Sequence, residues 1–197
     1  MNIYILRHGE TDQNKLKVFY GSMEVALNAE GRVQIIRAKE YLKNIKFDKV
    51  YSSERRRALE TAKILIDKNK EIIIDPRLNE ISFGDFEGKN YNEIRELYPV
   101  ECEEWSNNWK EYSPPNGESY IKFYLRIRAF MEEIKNIEAE NILLITHGGV
   151  IRSIYSYILE ENLDLYWKFA SRNGDVSIIK YERGNYFIDC IIPTKEH

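Results

Sequence analysis

The chain opens on Ile3-Tyr4-Ile5-Leu6-Arg7-His8-Gly9-Glu10-Thr11. Its first four residues are apolar and include β-branched and aromatic side chains, which predicts a buried strand. An arginine and a histidine follow at once, and Gly9 allows the backbone to turn sharply behind them. Such a strand end is suited to holding a phosphoryl group against an imidazole nucleophile. Taken alone, the stretch also fits two ordinary polar residues leaving a strand.

Strand and helix patterns alternate along the rest of the chain. Further strands are predicted at 49–52, 72–74, 142–145, 176–181 and 186–192, the last two as a hairpin around Arg183-Gly184-Asn185. Helices are predicted after the caps Asn28 and Ser53, over 123–137 and over 150–159. This order predicts an α/β fold with a mostly parallel central sheet, helices on both faces and an antiparallel edge.

The first long helix carries a rough apolar stripe, which we expect to face the core. Its members are Val33, Ile36, Tyr41, Leu42 and Ile45. In the next helix the residues expected on one buried face are Ala58, Thr61, Ala62 and Leu65. The two stripes predict that both helices pack against the sheet.

Composition limits the classes of protein that the chain can represent. With 197 residues, 43% of them hydrophobic, one core and a single domain over 1–197 are expected. The formal charge of -3 gives no overall positive field for nucleic acid or an anionic membrane. The sequence has no apolar run long enough to span a bilayer and no basic leader, which predicts a cytoplasmic protein. Cys102 and Cys190 are widely spaced, so neither a disulfide framework nor a zinc site is expected.

Polar residues follow four of the predicted strands. Arg7 and His8 follow the first strand, Arg57 comes soon after the second, Glu80 follows the third, and His147 with Gly148 and Gly149 follows the strand at 142–145. Ligands of open α/β sheets bind at the carboxyl ends of the strands, so these side chains are expected to share one rim. Arginines and imidazoles can neutralise a transferring phosphoryl group without a metal ion.

The same positions form an ordered series of motifs. Arg7-His8-Gly9-Glu10-Thr11 with Asn14 is followed by Gly21, Leu27-Asn28-Ala29-Glu30-Gly31, 52–62, Leu78-Asn79-Glu80 with 84–88, and 146–150. In these motifs the chain resembles the histidine phosphatase superfamily, in its phosphoglycerate-mutase-like branch. The resemblance covers nearly the whole length, and it implies a phosphomonoesterase without metal or other cofactor, acting on a small molecule.

The resemblance also implies a role for each site residue. His8 would attack phosphorus, with its other ring nitrogen held by a backbone group, and Glu80 would protonate the leaving oxygen. Arg7, Arg57 and His147 would bind the phosphoryl oxygens. Asn14, Gly21 and Gly148 complete the predicted substrate-binding set.

The segment 89–120 is rich in aromatic residues and is expected to be a lid-like insertion. Within it, 105–109 and 114–119 resemble the corresponding region of α-ribazole-5′-phosphate phosphatases of cobalamin biosynthesis, as does 81–87 before it. Its aromatic side chains could wall a pocket for a base, or they could simply belong to the core. The residues concerned are Tyr91, Trp105, Trp109, Tyr112 and Tyr120.

Other functions remain open at this level. A broad-specificity sugar-phosphate phosphatase would share every catalytic residue, and a phosphoglycerate mutase is disfavoured because the chain is short. A module that only binds phosphorylated ligands would not need His8 or Glu80. A metal-dependent hydrolase would need a cluster of ligands, whereas here arginines stand beside the histidines. The oligomeric state is not predicted.

Overall fold

A six-stranded sheet forms the centre of the protein in the computed structural model, which describes residues 1–194. Its strands are β1 (Asn2–Arg7), β2 (Lys49–Ser52), β3 (Ile73–Ile74), β4 (Asn141–Thr146), β5 (Val176–Glu182) and β6 (Asn185–Ile192). The strand order is β3-β2-β4-β1-β5-β6. The first four strands in that order are parallel, whereas β5 and β6 are antiparallel to their neighbours. The predicted fold is confirmed. The predicted unit 1–197 includes 195–197, among them His197, which lie outside the described residues.

Helices connect the strands. They are α1 (Asp12–Leu16), α2 (Ala29–Leu42), α3 (Arg56–Leu65), α4 (Tyr91–Leu97), α5 (Pro99–Asn107), α6 (Tyr120–Ile134) and α7 (Gly148–Ile158), with short 3₁₀ turns at Pro76–Leu78, Gly84–Phe86 and Leu163–Lys168. Across residues 1–194, no helix is both long enough and apolar enough to span a membrane.

The sheet is covered on both faces because its strands are apolar on both sides. Successive residues of β1 point to opposite faces, so Ile3 and Ile5 join one core while Tyr4 and Leu6 join the other. The first core contains residues of α4, α5, α6 and α7, and the second contains residues of α2 and α3. Two packed layers of helix therefore hold the carboxyl ends of the parallel strands in place.

The predicted stripe of α2 is wrong at Val33, Ile36 and Tyr41, whereas Leu42 is buried and Ile45 packs half-buried against the second core. The buried face consists of Gly31, Gln34, Ile35, Ala38 and Leu42. Val33, Ile36 and Tyr41 are 41%, 54% and 47% exposed, and Ile45 lies beyond the end of the helix. The buried face is hard to recognise because it includes a glycine and a glutamine. The glutamine is satisfied there, since its side-chain oxygen accepts from the Glu10 amide at 3.0 Å.

Two smaller predictions also need correction. Strand β3 begins at Ile73, so Ile72 lies outside it. The N-cap of α3 is Arg55, which makes no side-chain capping bond, and Ser53 therefore does not cap this helix. The Ser53 hydroxyl is instead engaged by groups of the candidate site.

Most of the aromatic residues predicted in 89–120 do not line the cavity of the candidate site. Trp105 is 8% exposed and packs against Phe19 and Phe86, with ring centroids 5.4 and 5.7 Å away. Tyr91 is exposed on α4, whereas Tyr120 is buried at the start of α6. For Trp105, the core interpretation is therefore the right one.

Candidate active site

The ends of β1 and β4 bring the two predicted site histidines together. Arg7 ends β1 and His8 follows it, while Thr146 ends β4 and His147 follows. The His8 amide donates to the Thr146 carbonyl at 2.9 Å, which continues the parallel pairing for one residue beyond the strand. The two imidazole rings have centroids 5.1 Å apart.

The loops after β2 and β3 add an arginine and a carboxylate. Arg57 lies in the first turn of α3 and is fully buried. The Thr146 hydroxyl donates to the Leu78 carbonyl at 2.7 Å and so ties the segment that carries Glu80 to the end of β4. The four strand ends thus contribute to one site, as their position in the sheet predicts.

His8 is buried and has a defined tautomer. Its Nδ1 lies 2.7 Å from the Gly9 carbonyl oxygen. A carbonyl only accepts hydrogen bonds, so Nδ1 carries the proton and Nε2 has a free lone pair. Burial, with the adjacent charges of Arg57 and Arg7, holds the pKa of His8 well below its ordinary value. The ring is therefore neutral, as a nucleophile must be.

Arg57 is fixed through all three guanidinium nitrogens. Its two terminal nitrogens donate to the carbonyls of Met23 and Gly21 at 2.9 and 2.8 Å, and its Nε donates to His147 Nδ1 at 3.2 Å. The guanidinium also stacks on the Tyr20 ring at 4.7 Å. Each terminal nitrogen keeps a second N–H for a ligand, and these contacts hold the guanidinium fork in place before any ligand binds.

His147 is fully buried and both of its ring nitrogens have protein partners. Nδ1 faces Arg57, and Nε2 lies 2.8 Å from the Ser53 hydroxyl. Burial, together with the positive charge of Arg57, holds the pKa of His147 well below its ordinary value. In the neutral state the ring consequently has no spare N–H for a phosphoryl oxygen.

Glu80 is held by backbone amides. Its Oε2 accepts from Gly149 at 3.0 Å and its Oε1 from Ile81 at 3.1 Å. A Cβ at position 149 would lie 2.2 Å from Oε1, so only glycine admits the carboxylate here. At Gly148 the neighbour is the guanidinium of Arg7, 3.2 Å from where a Cβ would lie. The paired glycines let an acid and an arginine approach the start of α7.

Two predicted binding residues have structural partners. The Asn14 side-chain oxygen caps α1 by accepting from the Thr11 amide at 3.1 Å, so only its NH₂ could meet a phosphoryl oxygen. Gly21 packs against the Ile81 carbonyl, and its own carbonyl accepts a hydrogen bond from Arg57. The role of Gly21 in the structure is thus to position Arg57.

The stretch before β5 also reaches the site, which the sequence did not predict. The Asn173 side chain donates to the His8 carbonyl at 3.0 Å and to the Asn14 oxygen at 3.2 Å. The carbonyl of Ser171 accepts from Arg7. No local motif marks this stretch, because its position depends on how the chain enters the antiparallel strand.

A cavity of about 200 Å³ opens beside the candidate catalytic groups. Arg7, Glu80 and Gly149 line it on one side. The aromatic lining comes from Phe19, Phe83, Tyr120, Tyr166 and Trp167. Of the five aromatic residues predicted to form a wall, only Tyr120 does so. Trp167 is 54% exposed at this cavity, and the sequence analysis missed it.

A larger cavity of about 450 Å³ lies elsewhere, where α2 and α3 end. It is lined by lysines and apolar residues such as Lys39, Phe47 and Leu65 and contains none of the predicted site residues. In the described chain, no group of three or more histidine, cysteine, aspartate or glutamate side chains is arranged to hold a metal ion. Of the predicted site residues, Arg7, Glu80 and Gly148 line the smaller cavity instead.

Comparison with known proteins identifies the family of the chain. The model of the histidine phosphatase superfamily (branch 1) matches residues 3–192. The chain belongs to this superfamily and is a phosphatase. The resemblance found in the motifs is thereby confirmed.

Similar proteins carry more specific names. The adenosylcobalamin/α-ribazole phosphatase of Escherichia coli is 29% identical over 181 residues, which cover 91% of this chain and 89% of that protein. Phosphoserine phosphatase 1 of Hydrogenobacter thermophilus is 27% identical over 184 residues, covering 92% and 87%. The crystal structure of the α-ribazole phosphatase from Shigella flexneri superposes with a TM-score of 0.93 at 28% identity, covering 98% and 97% of the two chains.

Proposed function

We propose that the protein hydrolyses phosphomonoesters through a phosphohistidine on His8. The observation that carries this proposal is the tautomer of His8, because the proton on Nδ1 leaves the Nε2 lone pair available beside the buried Arg57 and the half-buried Arg7. Nε2 forms a bond to phosphorus while the bond from phosphorus to the leaving oxygen breaks. Glu80 in its acid form gives that oxygen a proton. Water then attacks the phosphohistidine, Glu80 takes the proton, and the bond from phosphorus to Nε2 breaks.

The arginines would stabilise the charge on the phosphoryl oxygens. Arg7 Nε is buried and has no hydrogen-bond partner within residues 1–194, which is costly unless a ligand supplies one. Arg57 offers a rigid fork. His147 would act through Arg57, whose Nε donates to it.

The covalent step is tested at His8. In His8→Ala the nucleophile is absent, so enzyme quenched after mixing with labelled phosphomonoester should contain no phosphohistidine, whereas the parent should contain an acid-labile, alkali-stable phosphate. Circular dichroism and thermal melting check that the variant is folded. Turnover at the parental rate by the folded variant would refute the proposal.

For the substrate, we propose α-ribazole 5′-phosphate. The indole of Trp167 lies at the mouth of the cavity with Tyr166 and Tyr120 at 4.8 and 5.7 Å between ring centroids. This aromatic wall could stack on a base while the phosphate reaches His8, and remote binding energy of that kind can orient the reacting group. The names of the relatives from E. coli and S. flexneri support the same assignment. The segment 89–120 would cover this wall as a lid.

A second candidate is a smaller phosphomonoester whose leaving group carries a carboxylate. Arg152 lines the cavity, and its guanidinium carbon lies 5.5 Å from the Trp167 ring centroid and 5.7 Å from that of Tyr166. Its Nε is buried without a hydrogen-bond partner in the described chain. A carboxylate would satisfy it, and the phosphoserine phosphatase relative is named for such a substrate.

The two candidates are separated by kcat/KM on α-ribazole 5′-phosphate, phosphoserine, simple sugar phosphates and p-nitrophenyl phosphate. Preference for α-ribazole 5′-phosphate supports the first candidate. Preference for phosphoserine that is lost in Arg152→Gln supports the second. Similar kcat/KM values on all of these substrates would contradict both candidates and indicate a broad-specificity phosphatase.

A further inference from the structure

A chain of hydrogen bonds runs from the phosphoryl-binding arginine to the surface. It passes from Arg57 through His147, Ser53 and Asn79 to Glu54, with heavy-atom distances of 3.2, 2.8, 2.7 and 2.8 Å. The first three side chains are fully buried, and Asn79 is 7% exposed. None of the chemical steps proposed above uses Ser53, Asn79 or Glu54.

The donor and acceptor of every hydrogen bond in this chain can be assigned by starting at its outer end, Glu54. The Glu54 amide donates to Asn79 Oδ1 at 3.1 Å, and the Glu54 carboxylate accepts from Asn79 Nδ2. These two contacts fix which end of the Asn79 amide is oxygen. Asn79 Oδ1 can only accept, so the single hydroxyl proton of Ser53 must point to it.

The same logic continues inward to the imidazole. With its proton given to Asn79, the Ser53 oxygen must accept from its other neighbours, which are the Arg55 amide at 3.2 Å and His147 Nε2 at 2.8 Å. His147 Nε2 therefore carries the proton. Nδ1 of the neutral ring bears the lone pair, and it accepts from Arg57 Nε. Every donor has one acceptor along this path.

We infer that Ser53 and Asn79 are positioning residues that hold His147 in its Nε2–H tautomer, so that His147 orients the Arg57 fork. This inference rests on the proposed function of the site. In the other tautomer, Nδ1–H would face Arg57 Nε–H, and two donors would oppose each other inside the protein. The guanidinium would then turn away from Gly21 and Met23, and misplacing a phosphoryl ligand by about 1 Å can cost about 100-fold in rate.

The inference gives the two buried histidines opposite tautomers. His8 carries its proton on Nδ1 because of the Gly9 carbonyl, and His147 carries it on Nε2 because of Ser53. The chain has three histidines, so a two-bond ¹H–¹⁵N correlation spectrum of ¹⁵N-histidine-labelled enzyme resolves each ring. Assignment uses His8→Ala and His197→Gln.

The test is Asn79→Ala, which removes the acceptor of the Ser53 proton. The hydroxyl is then free to rotate and donate to His147 Nε2, so the ring should change to the Nδ1–H form, and kcat/KM on p-nitrophenyl phosphate should fall about 10- to 100-fold. The matched variant is the double exchange Asn79→Asp/Glu54→Gln. It keeps an oxygen acceptor for Ser53 and the same net charge, so it should keep the Nε2–H form and near-parental kcat/KM.

Ser177→Ala controls for the simple loss of a buried hydroxyl. Ser177 is 2% exposed on β5 and bonds to Tyr155, outside the hydrogen-bond path. This variant should change neither the His147 tautomer nor kcat/KM.

Three results would overturn the inference. They are an Nδ1–H form of His147 in the parent, a lowered kcat/KM in Asn79→Ala with the tautomer unchanged, and a changed tautomer with unchanged kcat/KM. Failure of the proposed function is a separate observation, since a parent enzyme that forms no phosphohistidine refutes the chemistry whatever the tautomer of His147.

Discussion

Replacing Glu80 by glutamine should slow only those reactions whose leaving group needs a proton. The carboxylate is held at both oxygens by the amides of Gly149 and Ile81. In Glu80→Gln the side-chain oxygen can still accept from one amide, but the NH₂ group faces the other. One partly buried hydrogen bond is lost, which should lower the free energy of unfolding by about 1–3 kcal/mol. The site should remain assembled at 25 °C.

The catalytic effect follows from the pKa of the leaving group. A ribose or sugar alkoxide is a poor leaving group, so loss of the general acid should reduce kcat/KM by about 10²–10⁴-fold. That range corresponds to about 3–5 kcal/mol in the transition state. The p-nitrophenolate ion leaves without a proton, so kcat/KM for p-nitrophenyl phosphate should stay close to that of the parent.

The assay uses kcat/KM because this parameter covers the steps up to release of the alcohol or phenol. The second half-reaction, in which Glu80 would accept a proton from water, affects kcat instead. A burst of p-nitrophenolate followed by slow turnover is therefore expected in Glu80→Gln. Equal losses of kcat/KM on the two kinds of substrate would refute the assignment of Glu80 as general acid.

Two further predictions concern stability and the aromatic wall. Burial lowers the pKa of His8 and His147 in the folded state, so below about pH 6.5 the unfolded chain binds protons that the folded chain does not. The free energy of unfolding should thus fall with decreasing pH, by at most about 1.4 kcal/mol per pH unit for each ring, and urea unfolding from pH 7.5 to 5.5 measures it. A pH-independent midpoint over this window would contradict the burial argument. Trp105→Ala should lower the free energy of unfolding by about 3–5 kcal/mol and reduce kcat/KM equally on all substrates. Trp167→Ala should lower kcat/KM for α-ribazole 5′-phosphate selectively. The reverse pattern would place the aromatic wall at Trp105.

The fold could be predicted because its strands carry strong local signals. β1 and β4 are continuous apolar runs, and such runs mark strands that are buried on both faces. The position of Arg7, His8 and His147 then follows, because a residue after a parallel strand lies at the carboxyl edge of the sheet. The face of α2 could not be found in the same way. Its burial depends on a close approach at Gly31 and on a hydrogen bond of Gln34, and neither appears in a hydrophobic pattern.

The cavity wall was predicted less well because it depends on tertiary packing. Trp105 and Trp167 are both aromatic residues beside helices, and nothing in the local sequence separates them. The first lies on the buried face of α5 and packs against Phe19, while the second is brought back to the start of α7 by the 3₁₀ turn that follows that helix. Ser53 illustrates the same limit, since its serine at a helix start suggests a cap but its hydroxyl bonds to His147 and Asn79.

The site can attract a dianion because the protein groups that hydrogen-bond to its arginines are neutral. Arg57 is fully buried, yet it is held by two carbonyls and a neutral imidazole, and neither it nor Arg7 forms an ion pair in the part of the chain described by the structure. Carboxylate partners would have lowered the cost of burying the guanidinium groups, but they would also have cancelled the charge that a phosphoryl group should meet. Glu80 also has neutral partners, because backbone amides rather than arginines hold its two oxygens. Within the described residues the carboxylate therefore forms no ion pair with Arg7 or Arg57 that would use up the charge meant for the ligand.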